Sequence, residues 1–584
     1  MNSREKFMCD RSHSVRTFIL WAVICIAANI FCAFPNAFDG DQMCWQGWTR
    51  SLISDGFAGF SGNYPPVYVL WLWAVGKFYA FFGMEVYRNF LLKFLCLVPV
   101  YFAHVGLLQL AWSWMQNRKI GELHGHLILG IIALNPALLA TGPVWGQVDL
   151  FPAFLAMLSL SCALRPQKIV WSFPLFILSL LTKFQMIAFL PVLGALWIRR
   201  AKIAWKGIPM AALWAFVVLL PFIVTGSLSQ VMSSAYVKSA SMYPYATFNA
   251  ANLWMILAGN IHPDNVPLFG LSPEGLGRFV TINVIGKVLF VLFSLGIFIR
   301  SLGTRNPRKA FRFCALTGLA FFVLLPEMHE RYIVCAVPPA LLWLSRSRAG
   351  AFPWVLLFSC LVAGNVQMVH GFRGEGLWVP FSFAVCTAFL LFVLDGAFPG
   401  QKRKIVALLQ KIPPWTGLPY VLLFIAVFGM VVYKAFIMSP VSAALSEKEV
   451  LVYDLEKVRS EQGYKSPATG KSVEGNPLTA GGKVYRDGIG AHAPSKLVYR
   501  LPKGADSLRF GYAVDDESSS GELRFIIRLD NQIAWTSGVV RSRDTPVFTG
   551  VSVRGAKTVT LELSPQGSDS GDHGDWLLPV VSTR

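Results

Sequence analysis

Acidic side chains are scarce in the first 440 residues of this 584-residue chain. Lys and Arg total 52 against 32 Asp and Glu, a net charge of +20, but from 441 onward 18 basic residues meet 18 acidic ones. The whole excess therefore lies in the first 440 residues, where the cations flank apolar runs. That placement speaks against a nucleic-acid partner and for loops held on the cytoplasmic side of a membrane. Paired cysteines are missing too. The ten cysteines, from Cys9 to Cys386, are scattered singly with no CxxC pair, and none follows 441, which argues against a disulfide scaffold or a zinc site. Long polar stretches are rare: 54% of residues are hydrophobic and the mean hydropathy is +0.51, which excludes an ordinary soluble chain. No short-period repeat or duplication of halves is visible.

What is there is a series of apolar runs close to the 18–22 residues that cross about 30 Å of hydrocarbon. They fall near 17–35, 67–83, 90–112, 125–142, 150–164, 169–182, 185–198, 208–225, 279–300, 311–326, 332–345, 351–369, 377–396 and 416–438. Basic loops occur at 1–16, Arg118–Lys119, Arg165–Lys168, Arg199–Lys206, Arg300–Arg312, Arg346–Arg348 and Lys402–Lys411. If every run crosses, only the first basic loop lies inside; if one early run does not cross, all of them do. The run to set aside is 67–83, which contains Lys77 and continues an acidic loop. It is expected to lie along the interface or re-enter. About thirteen crossings follow, with the N-terminus inside and the C-terminus outside. The opening segment resembles a signal peptide, but cleavage would leave Asp41 beside a free end, so an uncleaved anchor is expected.

This parity gathers the polar motifs on the outer side: the loop Asp39–Pro66, WGQVD at 145–149, TKFQ at 182–185, the long loop 226–278, PEMHERY at 326–332 and HGFRGEG at 370–376. Polar residues at span ends are costly unless they line a wet cavity. Asp41 has the chemistry of a general base for a hydroxyl. The Asp39-Gly40-Asp41 triplet also suits a divalent cation, or simply a turn after a span. Asp149 reads equally as an N-cap, Trp145 as an interfacial anchor and Lys183 as a snorkelling lysine. His329, Glu330 and Arg331 read equally as a loop ion pair. Taken together on one side they outline a site in which Lys183 and Arg331 suit a phosphate, Arg by its fork of donors and Lys as a point charge.

Residues 441–449 form a short linker. Beyond them, alternating stretches such as KLVYRL, LRFIIRL and TVTLELS between Gly, Asp and Ser turns read as an antiparallel β-sandwich over 450–584.

Two resemblances follow from these residues. Asp41, Trp45, Trp48, Gly56-Phe57, Gly59-Phe60 and Tyr64-Pro65-Pro66, with NPALLATGPVWGQVDLF (135–151), TKFQ and MHERY, resemble the bacterial polyprenyl-phosphate-sugar-dependent glycosyltransferases. These are integral-membrane enzymes of the C type (GT-C), in the branch similar to GPI-anchor mannosyltransferases. The resemblance covers most of 1–400. It implies an α-helical GT-C membrane domain over 1–440 in a bacterial cytoplasmic membrane, with its site on the periplasmic or outer face. It implies Asp41 as the catalytic acid, with Asp39 beside it, and Lys183 and Arg331 at the donor phosphate. Trp45, Tyr64, Trp145, Gln147, Asp149, Gln185, His329 and Glu330 would meet the sugar or substrate. It also implies a polyprenyl-phosphate-linked donor, a glycan, lipid-linked or protein acceptor, and inversion at the anomeric carbon; a divalent cation at Asp39 and Asp41 stays open. A lipid-linked sugar transporter, or a membrane-anchored glycan-binding protein, are the alternatives from other classes. The tail, through DGIGAHAPSKLVYRLP (487–502), Asp515-Asp516-Glu517 and DHGDW (572–576), resembles the NPCBM carbohydrate-binding modules of jelly-roll type. There His492, Asp572 and His573 are expected as turn residues ahead of ligand contacts, and Trp535 and Trp576 as core ahead of sugar-stacking platforms.

Overall fold

The computed structural model describes residues 3–34, 39–87, 89–116, 122–239, 242–267, 279–304, 306–347, 351–371 and 378–397, and 441–584 apart from 444, 447, 475–477, 482, 519–520, 543, 568 and 570. The apolar run 416–438, residues 372–376 of the HGFRGEG motif and the Asp39 side chain lie outside the described residues. The chain divides into two compact units, Met1–Ala435 and Phe436–Arg584.

The first unit is helical, as expected of backbone that must satisfy its own hydrogen bonds in lipid. Among the described residues six helices are long and apolar enough to cross a membrane: Val15–Ala33, Phe90–Met115, Glu122–Val144, Gly207–Val224, Ile282–Leu302 and Trp378–Asp395. Shorter apolar helices lie at Leu150–Ala163, Phe184–Arg199, Tyr332–Arg346 and Phe352–Val366. This is the make-up of a multi-pass membrane protein. Asparagines and prolines punctuate it. Asn89 accepts a hydrogen bond from Leu92 N at 2.9 Å to open the helix Phe90–Met115. Asn135 caps the short helix Pro136–Leu139, which runs into a π-turn at Ala140–Val144.

The acidic stretch after the first helix folds as a 16-residue helix, Asp39–Ser54, where a loop was expected. The reason is a stripe at helical spacing: Trp45, Thr49 and Leu52 are all buried. A 3-10 turn at Gly56–Gly59 and extended backbone to Pro65 then lead into the helix Pro66–Phe81. That helix is the run expected at the interface. Its 16 residues span about 24 Å at 1.5 Å per residue, short of the full hydrocarbon thickness. Two of the long loops pair directly: Thr247–Phe248 runs parallel to Met328–His329.

The second unit is a β-sandwich. One sheet runs Val547–Ser552, Ala505–Val514, His573–Thr583, Gly488–His492 and Ala468–Thr469, with Glu449–Leu451 also on His573–Thr583. The other runs Gln532–Thr536, Glu522–Leu529, Thr558–Pro565, Ser495–Arg500 and Lys457–Gln462, with Val540–Arg541 against Glu522–Leu529. Pairing within both sheets is antiparallel. Ser495–Arg500 alternates buried and less buried positions, as a strand with one face in the core must. Tyr499, Phe510, Phe525, Leu561 and Trp576 fill the space between the sheets.

Candidate active site

The π-turn Ala140–Val144 ends in Trp145-Gly146-Gln147-Val148-Asp149, and this tight reversal is the hub of the site. Trp145 N, Gly146 N and Gln147 N donate back to Ala140 O, Gly142 O and Thr141 O at 3.0, 2.7 and 3.0 Å. Gly146 sits at φ +97°, in the left-handed region that side-chain-bearing residues avoid. The reversal presents three alternate side chains, each engaged by a different element. Trp145 Nε1 donates to Asp41 Oδ2 at 2.7 Å, Tyr64 OH donates to Gln147 Oε1 at 3.3 Å, and Lys183 Nζ donates to Asp149 Oδ1.

Burial decides between the alternative readings of these residues. Lys183 and Asp149 side chains are 8% and 2% exposed, so this lysine does not snorkel to solvent. Asp149 precedes the helix Leu150–Ala163 but makes no side-chain cap bond. Its second oxygen lies 4.0 Å from Arg331 Nε, while Arg331 Nη1 bonds Glu330 Oε1 at 2.7 Å. Both cations therefore carry a carboxylate partner already. Aromatic faces complete their surroundings. Lys183 Nζ lies 5.5 Å from the ring centres of both Tyr64 and Tyr332, and Arg331 lies 5.5 Å from Tyr332 and 5.9 Å from Trp145. Trp45 packs edge-on against Tyr64 at 5.0 Å and Trp48 at 5.4 Å, seating the acid-bearing helix on this wall.

The paired loops supply the opposite side. His329 meets the rings of Tyr243, Phe248 and Tyr332 at 4.6, 5.0 and 5.2 Å. Burial first, then the charges of Arg331 and Lys183, push its pKa down, so the imidazole is neutral at physiological pH. Its Nδ1 stands 3.9 Å from Glu330 Oε2. Asn365, in the helix Phe352–Gly371, ties this side together: its amide nitrogen donates to Glu330 O and its oxygen accepts from Ala251 N at 3.1 Å.

Several buried polar atoms in the cluster lack a hydrogen-bond partner among the described residues: Trp45 Nε1, Gln147 Nε2, Asp149 Oδ2 and Arg331 Nε. Each such atom costs roughly 1–3 kcal/mol if left unmet, so their gathering marks a place for water or a polar ligand. Gln185 is half-buried on the neighbouring 3-10 segment with its side-chain oxygen unpartnered, and no hydrogen bond joins it to the cluster. The described residues hold no group of three or more His, Cys, Asp or Glu arranged for a metal ion. Sequence reasoning missed Asn365, Tyr243 and Phe248. Asn365 had a signal, a strong hydrogen-bonding side chain inside an apolar run. Tyr243 and Phe248 had none, because only the loop pairing brings them to His329.

In the β-sandwich two of the residues expected in turns lie in strands instead, His492 at the end of Gly488–His492 and His573 at the start of His573–Thr583. His492 and His573 are register partners with rings 5.4 Å apart, and His573 Nδ1 lies 3.0 Å from Glu517 Oε1. Asp572 Oδ1 accepts from Glu522 N at 2.7 Å, and Asp515 accepts from Thr479 N and Glu517 N at 3.0 and 2.9 Å. Trp576 is fully buried between Phe510 and Phe525, and Trp535 packs on Phe510 and Tyr512.

Comparison with known proteins locates similarity in both parts of the chain. Residues 448–582 match the NPCBM/NEW2 domain model. A Renibacterium salmoninarum protein described as a candidate endo-alpha-N-acetylgalactosaminidase is 26% identical over 159 residues, 24% of this chain and 10% of the relative. Alpha-1,3-galactosidase B of Akkermansia muciniphila is 30% identical over 112 residues, 18% of this chain and 14% of the relative. The chain thus spans only a small part of either enzyme. Among solved structures, a Clostridium perfringens CBM51 module in complex with methyl-galactose covers 23% of this chain and 99% of that one, at 28% identity and a TM-score of 0.22. ArnT of Cupriavidus metallidurans, bound to undecaprenyl phosphate, covers 72% of this chain and 75% of that one, at 15% identity and a TM-score of 0.39. The C-terminal unit of this chain is an NPCBM/NEW2 domain.

Proposed function

We propose that the helical unit is a GT-C glycosyltransferase moving a monosaccharide from a polyprenyl-phosphate donor to a hydroxyl of a glycan, lipid-linked or protein acceptor. The reaction takes place on the outer face of a bacterial cytoplasmic membrane. The observation that carries this reading is the meeting of Asp41, Tyr64, the WGQVD reversal, Lys183 and His329-Glu330-Arg331 in one buried polar cluster. The distribution of basic loops assigns all of these stretches to the same side of the membrane. A solvated turn, a snorkelling lysine and a loop ion pair would have no reason to converge.

Asp41 takes the proton of the acceptor hydroxyl. The acceptor oxygen forms a bond to the anomeric carbon, the bond from that carbon to the phosphate oxygen breaks, and its electron pair leaves with polyprenyl phosphate. Arg331 and Lys183 sit where negative charge grows on the departing phosphate, and they stabilise it more in the transition state than in the ground state. Gln147 Nε2 and Asp149 Oδ2, which have no hydrogen-bond partner among the described residues, meet sugar hydroxyls. The NPCBM/NEW2 domain binds glycan and, as part of the same chain, raises the effective concentration of a glycan acceptor.

The test is transfer by purified protein in detergent, with a panel of polyprenyl-phosphate monosaccharides and wild type compared with Asp41→Asn. Wild type should release polyprenyl phosphate, and Asp41→Asn should be slower by at least about 100-fold, the low end for losing a general base. If wild type releases none from any donor, yet moves a lipid-linked sugar across liposomes, the protein is a transporter and Asp41 is not a base.

A further inference from the structure

We infer that Trp145 is a positioning residue whose indole N–H holds one oxygen of the Asp41 carboxylate, leaving the other for the acceptor proton. This rests on the reading of Asp41 as the base. Asp41 lies in the first turn of the helix Asp39–Ser54 and is only half-buried. A carboxylate there rotates freely unless something holds it, and a misplacement of about 1 Å at a reacting group costs on the order of 100-fold in rate. The 2.7 Å separation of Trp145 Nε1 from Asp41 Oδ2 lies at the short end for N–H···O.

The holder is itself held. Trp145 is 1% exposed and packs against Ala140, Ala363 and Val366, with the Arg331 guanidinium 5.9 Å from its ring centre. Its backbone is pinned by the bond to Ala140 O and by the reversal at Gly146. The chemistry of the donor also matters. An indole carries one N–H and no acceptor, so it orients the carboxylate without a titratable group that competes for the proton. A lysine or arginine in its place would fix the carboxylate as an ion pair and weaken it as a base.

Two replacements test this in the intact protein: Trp145→Phe, which keeps a ring, and incorporation of 3-benzothienylalanine at 145, which keeps the bicyclic shape and removes only the N–H. Both should lower kcat roughly 10- to 100-fold, the range for losing a hydrogen bond to a charged group. Donor KM and the affinity for polyprenyl phosphate should stay within about twofold, since both replacements keep an aromatic ring beside Arg331 and leave Lys183 alone. If the benzothienyl protein turns over like wild type, Trp145 does not position Asp41, and the transferase reading stands without it. If KM rises and phosphate affinity falls along with the drop in kcat, Trp145 is a structural pillar and the inference is overturned. If wild type transfers no sugar, the transferase reading fails, and this inference with it.

Discussion

Replacing Lys183 by methionine isolates the energetics at the centre of the cluster. The side chain keeps its length and apolar character but loses the charge that Asp149 faces. With Asp149 2% exposed, its carboxylate is left buried with one remaining cation, Arg331, whose Nε stands 4.0 Å away and whose Nη1 already serves Glu330 at 2.7 Å. Removing one member of a buried pair costs about 3–5 kcal/mol, and the residual help from Arg331 places the expectation near about 3 kcal/mol. Replacing both members by apolar residues, Lys183→Met with Asp149→Leu, should recover most of that loss, because a buried pair and a packed apolar pair are often equally stable. The assay is denaturant unfolding of the detergent-solubilised protein, followed by tryptophan fluorescence. The expected order is wild type close to the double variant, with the single variant well below both, while both variants lose sugar transfer. A single variant as stable as wild type would refute the claim that Asp149 is a buried charge needing Lys183. A double variant as unstable as the single one would put the defect in methionine packing instead.

Two further outcomes follow from other elements. Gly146→Ala places a side chain at φ +97°, at a cost of about 1–3 kcal/mol, and tilts Trp145 and Gln147 together; transfer should fall at least tenfold with the protein still folded by gel filtration. In the β-sandwich, burial first, then the charge of Asp515 and a side-chain hydrogen bond with it, push the Asp575 carboxyl well above the usual carboxylate range. A raised acid pKa in the folded state means that its contribution is fully present below the unfolded value of about 3.9 and is lost as pH rises toward the folded value. Asp575→Asn should therefore raise the melting temperature of residues 441–584 relative to wild type at pH 7, with the advantage vanishing near pH 4. An equal difference at both pH values would remove Asp575 as its source.

The legibility of this protein follows from what each signal depends on. Apolar length, the placement of cations beside the runs and the period-two alternation after 450 are local properties, so the helical first unit and the β-sandwich could be read directly. The residue types of the site were legible for a similar reason: Asp149, Lys183 and Glu330 are costly in apolar surroundings wherever they fall. What they do there was not legible. Asp149 satisfied every requirement of a cap in the sequence, yet its carboxylate pairs with a lysine 34 positions on. The acidic stretch after the first helix looked like a loop because its polar residues are dense; it is helical because Trp45, Thr49 and Leu52 find a wall to bury against. Tyr243 reaches His329 only through the pairing of Thr247–Phe248 with Met328–His329. The sequence by itself determined which groups must find partners, since burial penalties attach to residue types. Only the tertiary structure decided which partners they found, because those contacts join residues far apart in the chain, where no local rule reaches.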